Sequence, residues 1–271
     1  MLLNHTLLFE LALIGYCGSI CLLFLSFSLY PNKAPLLPRL VLTSSLALHL
    51  ASLILRGLAA GHSPVANFFE SMNQFIICTA MIAAIELWQR GSNGYGSLIP
   101  LLITIAALPF TYFRISPAIT EMYPALQSIW FELHVIAAFI SYGLFATGAG
   151  LSILYFLVRS TKYRFLHQRL PTYQTLDRKA YRHNSWGFFF FSFSMLTGGI
   201  WAHYAWGNYW IWTAKELWSA ILWFYYAIYI HARFTPKWAG KRANALSILG
   251  YLVTIFTFLG VNLLLRSSHR F

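Results

Sequence analysis

The chain reads as an all-α protein, a polytopic transmembrane helical bundle of about eight spans with both termini on the outer side. Three observations predict this. Of 271 residues, 58% are hydrophobic and only 10% are charged, whereas ordinary soluble domains carry about 25% charged residues. Apolar runs of the roughly 20 residues that a helix needs to cross a bilayer recur along the chain. Lipid offers the backbone no hydrogen-bond partners, so only helices or closed barrels can cross it, and runs this long are helices.

Taken in order, the expected spans are 6–29, 40–60, 67–89, 97–114, 129–158, 185–203, 217–233 and 244–264. The first has no basic segment before it and no small-residue cleavage site, so it reads as a retained helix rather than a signal peptide. Cys17 and Cys21 lie one helical turn apart inside it, and Cys78 lies inside the third. They read as small packing residues, with no CxxC pair, zinc pattern or disulfide framework. The fifth span is long enough to tilt or to extend beyond the bilayer. The seventh is short and ends at Arg233. The longest loop, 159–184, is too short and too basic to hold a core of its own. The whole of 1–271 is therefore expected to be one integral membrane domain.

A net charge of +12 invites a nucleic-acid reading, but its distribution points to topology. With the N-terminus outside, the inner segments hold Lys33, Arg39, Arg90, Arg159, Lys162, Arg164, Arg169, Arg178, Lys179, Arg182, Arg233, Lys237, Lys241 and Arg242. That is 14 of the 19 Lys and Arg. Arg56, Arg114, Lys215, Arg266 and Arg270 stay outside. The positive-inside rule expects this asymmetry, and the basic cluster at 159–182 suits anionic headgroups. No nucleic-acid partner is needed.

That orientation sorts the nine histidines. His5, His62, His134, His203 and His269 fall at or near the outer face. His167 and His183 lie in the basic inner loop, and His49 and His231 lie within spans. His49 is read as structural. His231 is read either as a ligand or as a side chain reaching the inner interface beside Arg233.

Between the sixth and seventh spans runs Trp201-Ala-His-Tyr-Ala-Trp-Gly-Asn-Tyr-Trp-Ile-Trp212, followed by Lys215, Glu216 and Trp218. Trp and Tyr collect at bilayer interfaces, so one reading is an aromatic belt. A belt needs only a few rings spread over several helices, however, and here they are concentrated in one segment. The second reading is a shelf for a large, flat apolar ligand with a polar edge, such as haem. Two neutral imidazoles across such a floor, His134 and His269, are what a six-coordinate haem iron needs. Otherwise each caps a helix or meets headgroups.

These residues, in this order, resemble the cytochrome c assembly family of the CcsA (ResC) type, the channel subunit of the System II haem lyase. The resemblance runs over most of the chain. Gly61-His62-Ser-Pro64-Val-Ala-Asn67-Phe-Phe-Glu70-Ser71 is similar to the family's short motif after its second helix. Leu133-His134 with Ser141-Tyr142 resembles the segment carrying its first external haem-ligating His. Asp177 and Tyr181-Arg182 before Gly187-Phe188 fit the approach to the next helix, and 201–218 resembles the external Trp-rich loop. Tyr229-Ile-His231-Ala-Arg233 fits the family's membrane His. Gly260-Val261-Asn262-Leu263-Leu264, leading to His269, fits its second external His.

The resemblance implies haem b as the cofactor handled, taken up at a membrane site that includes His231. It implies an external site between His134 and His269, against Trp201, Trp206, Trp210 and Trp212. There the vinyl groups meet the two thiols of an apocytochrome c CxxCH segment. A CcsB/ResB-type membrane partner is implied too, in the bacterial cytoplasmic membrane or the thylakoid membrane, with the loop facing outward. The chain supplies position and axial ligation, and no Ser, Cys or carboxylate arrangement suggests covalent catalysis of its own. The loop departs from the family pattern. Trp-Asp-Pro-Lys-Glu is usual, but here Thr213 replaces the acid and Ala214 the proline, while His203-Tyr204 stands for an amide–acid pair. Thr still caps a helix, though without charge. His203 is either a third external ligand or a hydrogen-bonding substitute for that pair. The altered loop leaves open a HemX-like, non-catalytic paralogue, or a haem-binding subunit of another membrane complex.

Overall fold

The computed structural model describes residues 5–30, 35–89, 101–102, 118–160 and 170–261. Among them are seven α-helices and no strand: α1 His5–Leu29, α2 Leu36–Ala60, α3 Phe68–Trp88, α4 Ile129–Arg159, α5 Tyr173–Trp206, α6 Ala214–Arg233 and α7 Lys241–Ile255. A π-helical turn, Phe256–Gly260, continues α7. Five of these are long and apolar enough to cross a membrane: α1, α2, α3, α4 and α7 with its π turn. The protein is an all-helical membrane protein. The expected span 97–114 lies outside the described residues except at 101–102, as do His167 and His269.

Helix ends differ from the hydropathy boundaries for a physical reason. The expected span 185–203 is the apolar part of α5, which starts twelve residues earlier at Tyr173 and carries Asp177, Arg178, Lys179 and Arg182 in that stretch. Hydropathy sees only the part that suits lipid; the backbone stays helical beyond it. Likewise α2 begins at Leu36, four residues ahead of the expected 40.

The described residues form two compact units. In the first, 1–121 with 154–175, α1 and α2 run antiparallel, with Ser52 Oγ donating to His5 O at 2.6 Å and Ser19 Oγ to Pro38 O at 3.1 Å. His49 joins three helices: its Nε2 meets Asn73 Oδ1 at 2.8 Å and its Nδ1 meets the Tyr16 hydroxyl at 3.3 Å. The amide oxygen only accepts, so Nε2 carries the proton and Nδ1 accepts from Tyr16. At the other end of α2, Arg56 and Glu70 form a buried ion pair at 2.8 Å. Arg56 also donates to Ala118 O at 3.0 Å, and Glu70 accepts the Ala66 N–H at 2.7 Å. Asn67 caps α3 by accepting from Glu70 N at 3.0 Å. The 61–71 motif is thus a polar clasp whose every charge is satisfied, as burial demands.

In the second unit, 122–153 with 176–271, α4 and α5 run antiparallel along one stripe. Phe131 meets Trp201, His134 meets Gly198 and Phe145 meets Gly187. The α4 positions are spaced as one helical face requires. At the far end Arg233 of α6 grips Asp177 of α5 with two hydrogen bonds, 3.0 and 3.1 Å, and Asn244 of α7 adds a third at 2.6 Å. Deeper in, Asn184 donates to Ser247 Oγ at 2.8 Å, and Phe145 stacks on Tyr226 at 3.5 Å. Buried hydroxyls such as Thr147, Ser152 and Thr254 bond the carbonyl four residues back, which removes the cost of carrying them through an apolar interior.

Candidate functional site

His134 sits in the second turn of α4, and α5 decides its state. Its Nδ1 lies 2.7 Å from the carbonyl oxygen of Ser194 and 3.0 Å from Ser194 Oγ, whose own proton goes to His134 O at 2.9 Å. A carbonyl only accepts, so the imidazole proton is on Nδ1. Nε2 is left with its lone pair and makes no hydrogen bond among the described residues. This is the second-sphere arrangement of a metal-ligating histidine. The ring lies on Gly198, where an added Cβ would come within 2.6 Å of Nδ1.

Three residues before His134, Phe131 packs on Trp201 with ring centres 5.0 Å apart. The base of the Trp-rich segment is therefore one turn from His134 on both helices. Trp201 is anchored by Nε1 donating to Ala125 O at 2.7 Å. It meets Trp206 edge-on at 6.4 Å. Pro124, Ala125, Gln127, Ser128, Trp130, Trp201, Tyr204 and Ala205 line an open cleft of about 330 Å³ beside it.

The segment divides into three parts. Residues 201–206 complete α5, 207–213 form a short loop, and 214–218 open α6. Gly207, at φ +77°, ends α5 in the left-handed conformation that glycine adopts freely, and its N–H returns to His203 O at 2.8 Å. His203 is exposed and lies flat on Tyr209, ring centres 4.4 Å apart at 5°. Trp210 stands edge-on to Trp212 at 6.0 Å, and its indole N–H is buried without a hydrogen-bond partner.

Trp212 has φ +58°, a conformation that bulky side chains avoid, and its indole is 76% exposed. Glu216 imposes it. The carboxylate accepts from Ile211 N at 3.1 Å, Thr213 N at 2.7 Å and Thr213 Oγ at 3.0 Å, while Glu216 N donates to Thr213 Oγ at 3.3 Å. This reciprocal box caps α6. Thr213 therefore keeps the capping role expected of it without the usual acid. Lys215 precedes the apolar stretch 217–233. Burial pulls its ammonium down to about 8.

His231 lies elsewhere. It is exposed, in the last turn of α6 beside the Arg233–Asp177 grip. That is 17 residues from the capped start of the helix, about 25 Å at 1.5 Å per residue. His134 and His231 thus mark opposite ends of the second unit. Among the described residues no three His, Cys, Asp or Glu side chains gather as a metal site, so an iron would rest on singly placed histidines. His134 fits that demand.

Ser194, Gly198 and Glu216 were not singled out from the sequence. Two signals were available. Gly187, Ser194 and Gly198 are the small residues at spacings of seven and four within the aromatic run of α5, which is one helical face. Thr213-x-x-Glu216 is a capping-box pattern.

Fold and site together define a polytopic helical membrane protein with a tautomer-locked histidine beneath a Trp-rich helix–loop–helix. Residues 13–269 match the model of the cytochrome c assembly protein family, and the chain belongs to that family, to its CcsA type. It is 32% identical to the cytochrome c biogenesis protein CcsA of Chlamydomonas reinhardtii over 88% of this chain and 69% of that protein. Against the CcsA proteins of Trieres chinensis and Prochlorococcus marinus (strain NATL1A) it is 30% identical, covering 80% and 86% of this chain and 80% and 83% of theirs.

Proposed function

We propose that this chain handles haem b for cytochrome c biogenesis, working with a CcsB/ResB-type membrane partner and apocytochrome c. In this reading eight helices cross the membrane, the additional one formed by 97–114, with both termini and the Trp-rich segment outside. The membrane is the bacterial cytoplasmic membrane or the thylakoid membrane. Haem is cargo, taken up at a membrane site that includes His231. It is then held outside by His134 and His269 against Trp201, Trp206, Trp210 and Trp212, with His203 on Tyr209 at the rim. Each apocytochrome thiol adds across a vinyl group: a C–S bond forms, the C=C becomes single, and the thiol proton passes to the neighbouring carbon. The chain contributes position rather than a nucleophile. His134 offers an unprotonated Nε2, and the indoles hold the ring face and exclude water.

One observation carries the reading: His134 Nδ1 is committed to Ser194 O at 2.7 Å, in a member of this family, one helical turn from Trp201. The test is a pair of oxidised and reduced absorption spectra of protein purified from haem-replete membranes, with His134→Ala and His269→Ala beside the wild type. A low-spin b-type spectrum that weakens or turns high-spin in both variants is expected. Wild type without haem, or haem indifferent to both changes while cytochrome c still matures, would overturn the reading in favour of a non-catalytic paralogue.

A further inference from the structure

At one end of the first unit, where α1 finishes, α2 starts and α3 finishes, Arg39 is 7% exposed. Its Nε and Nη2 are buried without a hydrogen-bond partner. The guanidinium lies over the Trp88 ring, 5.6 Å from its centre, and no carboxylate among the described residues pairs with it. A buried cation left in that state is costly, and natural structures supply an anion.

The start of α2 calls for the same thing independently. Its N-cap is Pro35, which makes no side-chain capping bond, and its first turn holds no acid. The amides of Leu36 and Leu37 are among the orphan donors of a helix start, at the positive end of the helix dipole. Helical side chains lean toward the N-terminus, the direction in which these amides lie from Arg39. Fork plus helix start is an oxyanion site.

The surroundings select the bearer of that oxyanion. Leu36, Leu37, Leu40, Tyr30 and Trp88 at this end are all exposed. Tyr and Trp beside exposed leucines mark headgroup depth, where phosphate is the abundant anion. Acyl chains would cover the leucines while the phosphate meets Arg39. The geometry points to a bound anionic phospholipid, its phosphate held by Arg39 and the first turn of α2.

The test compares wild type, Arg39→Lys, Arg39→Met and Trp88→Phe, purified in detergent. Lipid retained after delipidation is read by native mass spectrometry, and thermal shifts are read on adding phosphatidylglycerol, phosphatidylcholine or inorganic phosphate. Wild type should retain phosphatidylglycerol and be stabilised by it alone, Arg39→Lys should hold it weakly, and Arg39→Met should lose it. Brominated phosphatidylglycerol should quench wild-type fluorescence more than that of Trp88→Phe, which decides the matter if Arg39→Met does not fold. An equal shift with inorganic phosphate would make the site a free-anion site and overturn the lipid. So would undiminished lipid in Arg39→Met, equal quenching of wild type and Trp88→Phe, or Arg39→Met losing haem while keeping lipid. Haem spectra of Arg39→Lys should match the wild type, which separates this inference from the haem reading.

Discussion

His134 depends on what α5 does not place beside it. Gly198 has no Cβ, and one added there would lie 2.6 Å from Nδ1 and 2.9 Å from Cε1 of the imidazole. The ring would have to leave Ser194 O. Gly199, its neighbour, faces only Tyr209 O at 3.6 Å. Gly→Ala in a helix is otherwise worth about 0.5–1 kcal/mol in the alanine's favour, while overpacking costs about 1–3 kcal/mol. Gly199→Ala should therefore raise the melting temperature, and Gly198→Ala should lower it and weaken the low-spin haem spectrum. Equal melting temperatures for the two would remove Gly198 as the seat of His134. His134 stands out in the sequence as an imidazole near a helix start, and the structure places it in the second turn of α4. Its partners do not stand out: a backbone carbonyl is anonymous, and a glycine's role is defined by the side chain it admits.

Among the elements, the Trp-rich segment departs most from its sequence reading. Read as one external loop over 201–218, it is two helix ends joined by seven residues, 207–213. Aromatic density concealed the ends, since Trp and Tyr suit a helix, an interface and a loop alike. The capping box of Thr213 and Glu216 closes the start of α6, and it stores strain at Trp212, φ +58°. Left-handed backbone at a non-glycine costs about 1–2 kcal/mol. Trp212→Gly should relieve it and raise thermal stability by about that amount, while lowering haem retention through the lost indole. Thr213→Ala should cost about 1 kcal/mol, and Thr213→Ser should cost little. Stability unmoved by either Trp212→Gly or Thr213→Ala would mean that the box does not hold the turn.

At the scale of the whole molecule, what the sequence shows most plainly is the partition of charge, because lipid and membrane potential act on charge directly. On the eight-span path expected from the sequence, 14 of the 19 Lys and Arg fall on one side. Five helices are long and apolar enough to cross. α5 and α6 carry their charges at their ends: Asp177 to Arg182 in the first, Lys215, Glu216 and Arg233 in the second. Two ion pairs act as clasps within the units, Arg56 with Glu70 in the first and Arg233 with Asp177 in the second. The parity of the path turns on 97–114. If that segment crosses, Ser92 and Glu121 face opposite sides; if it does not, they share one. Single cysteines at 92, 121, 209 and 237, in a background with Cys17, Cys21 and Cys78 replaced, can be labelled with a membrane-impermeant maleimide. Positions 121 and 209 should react in intact cells or sealed right-side-out vesicles, and 92 and 237 only after permeabilisation. The same reactivity at 92 and 121 would remove a span. Reactivity at 237 but not 209 would invert the protein, placing His134 and the Trp-rich segment inside and His231 outside.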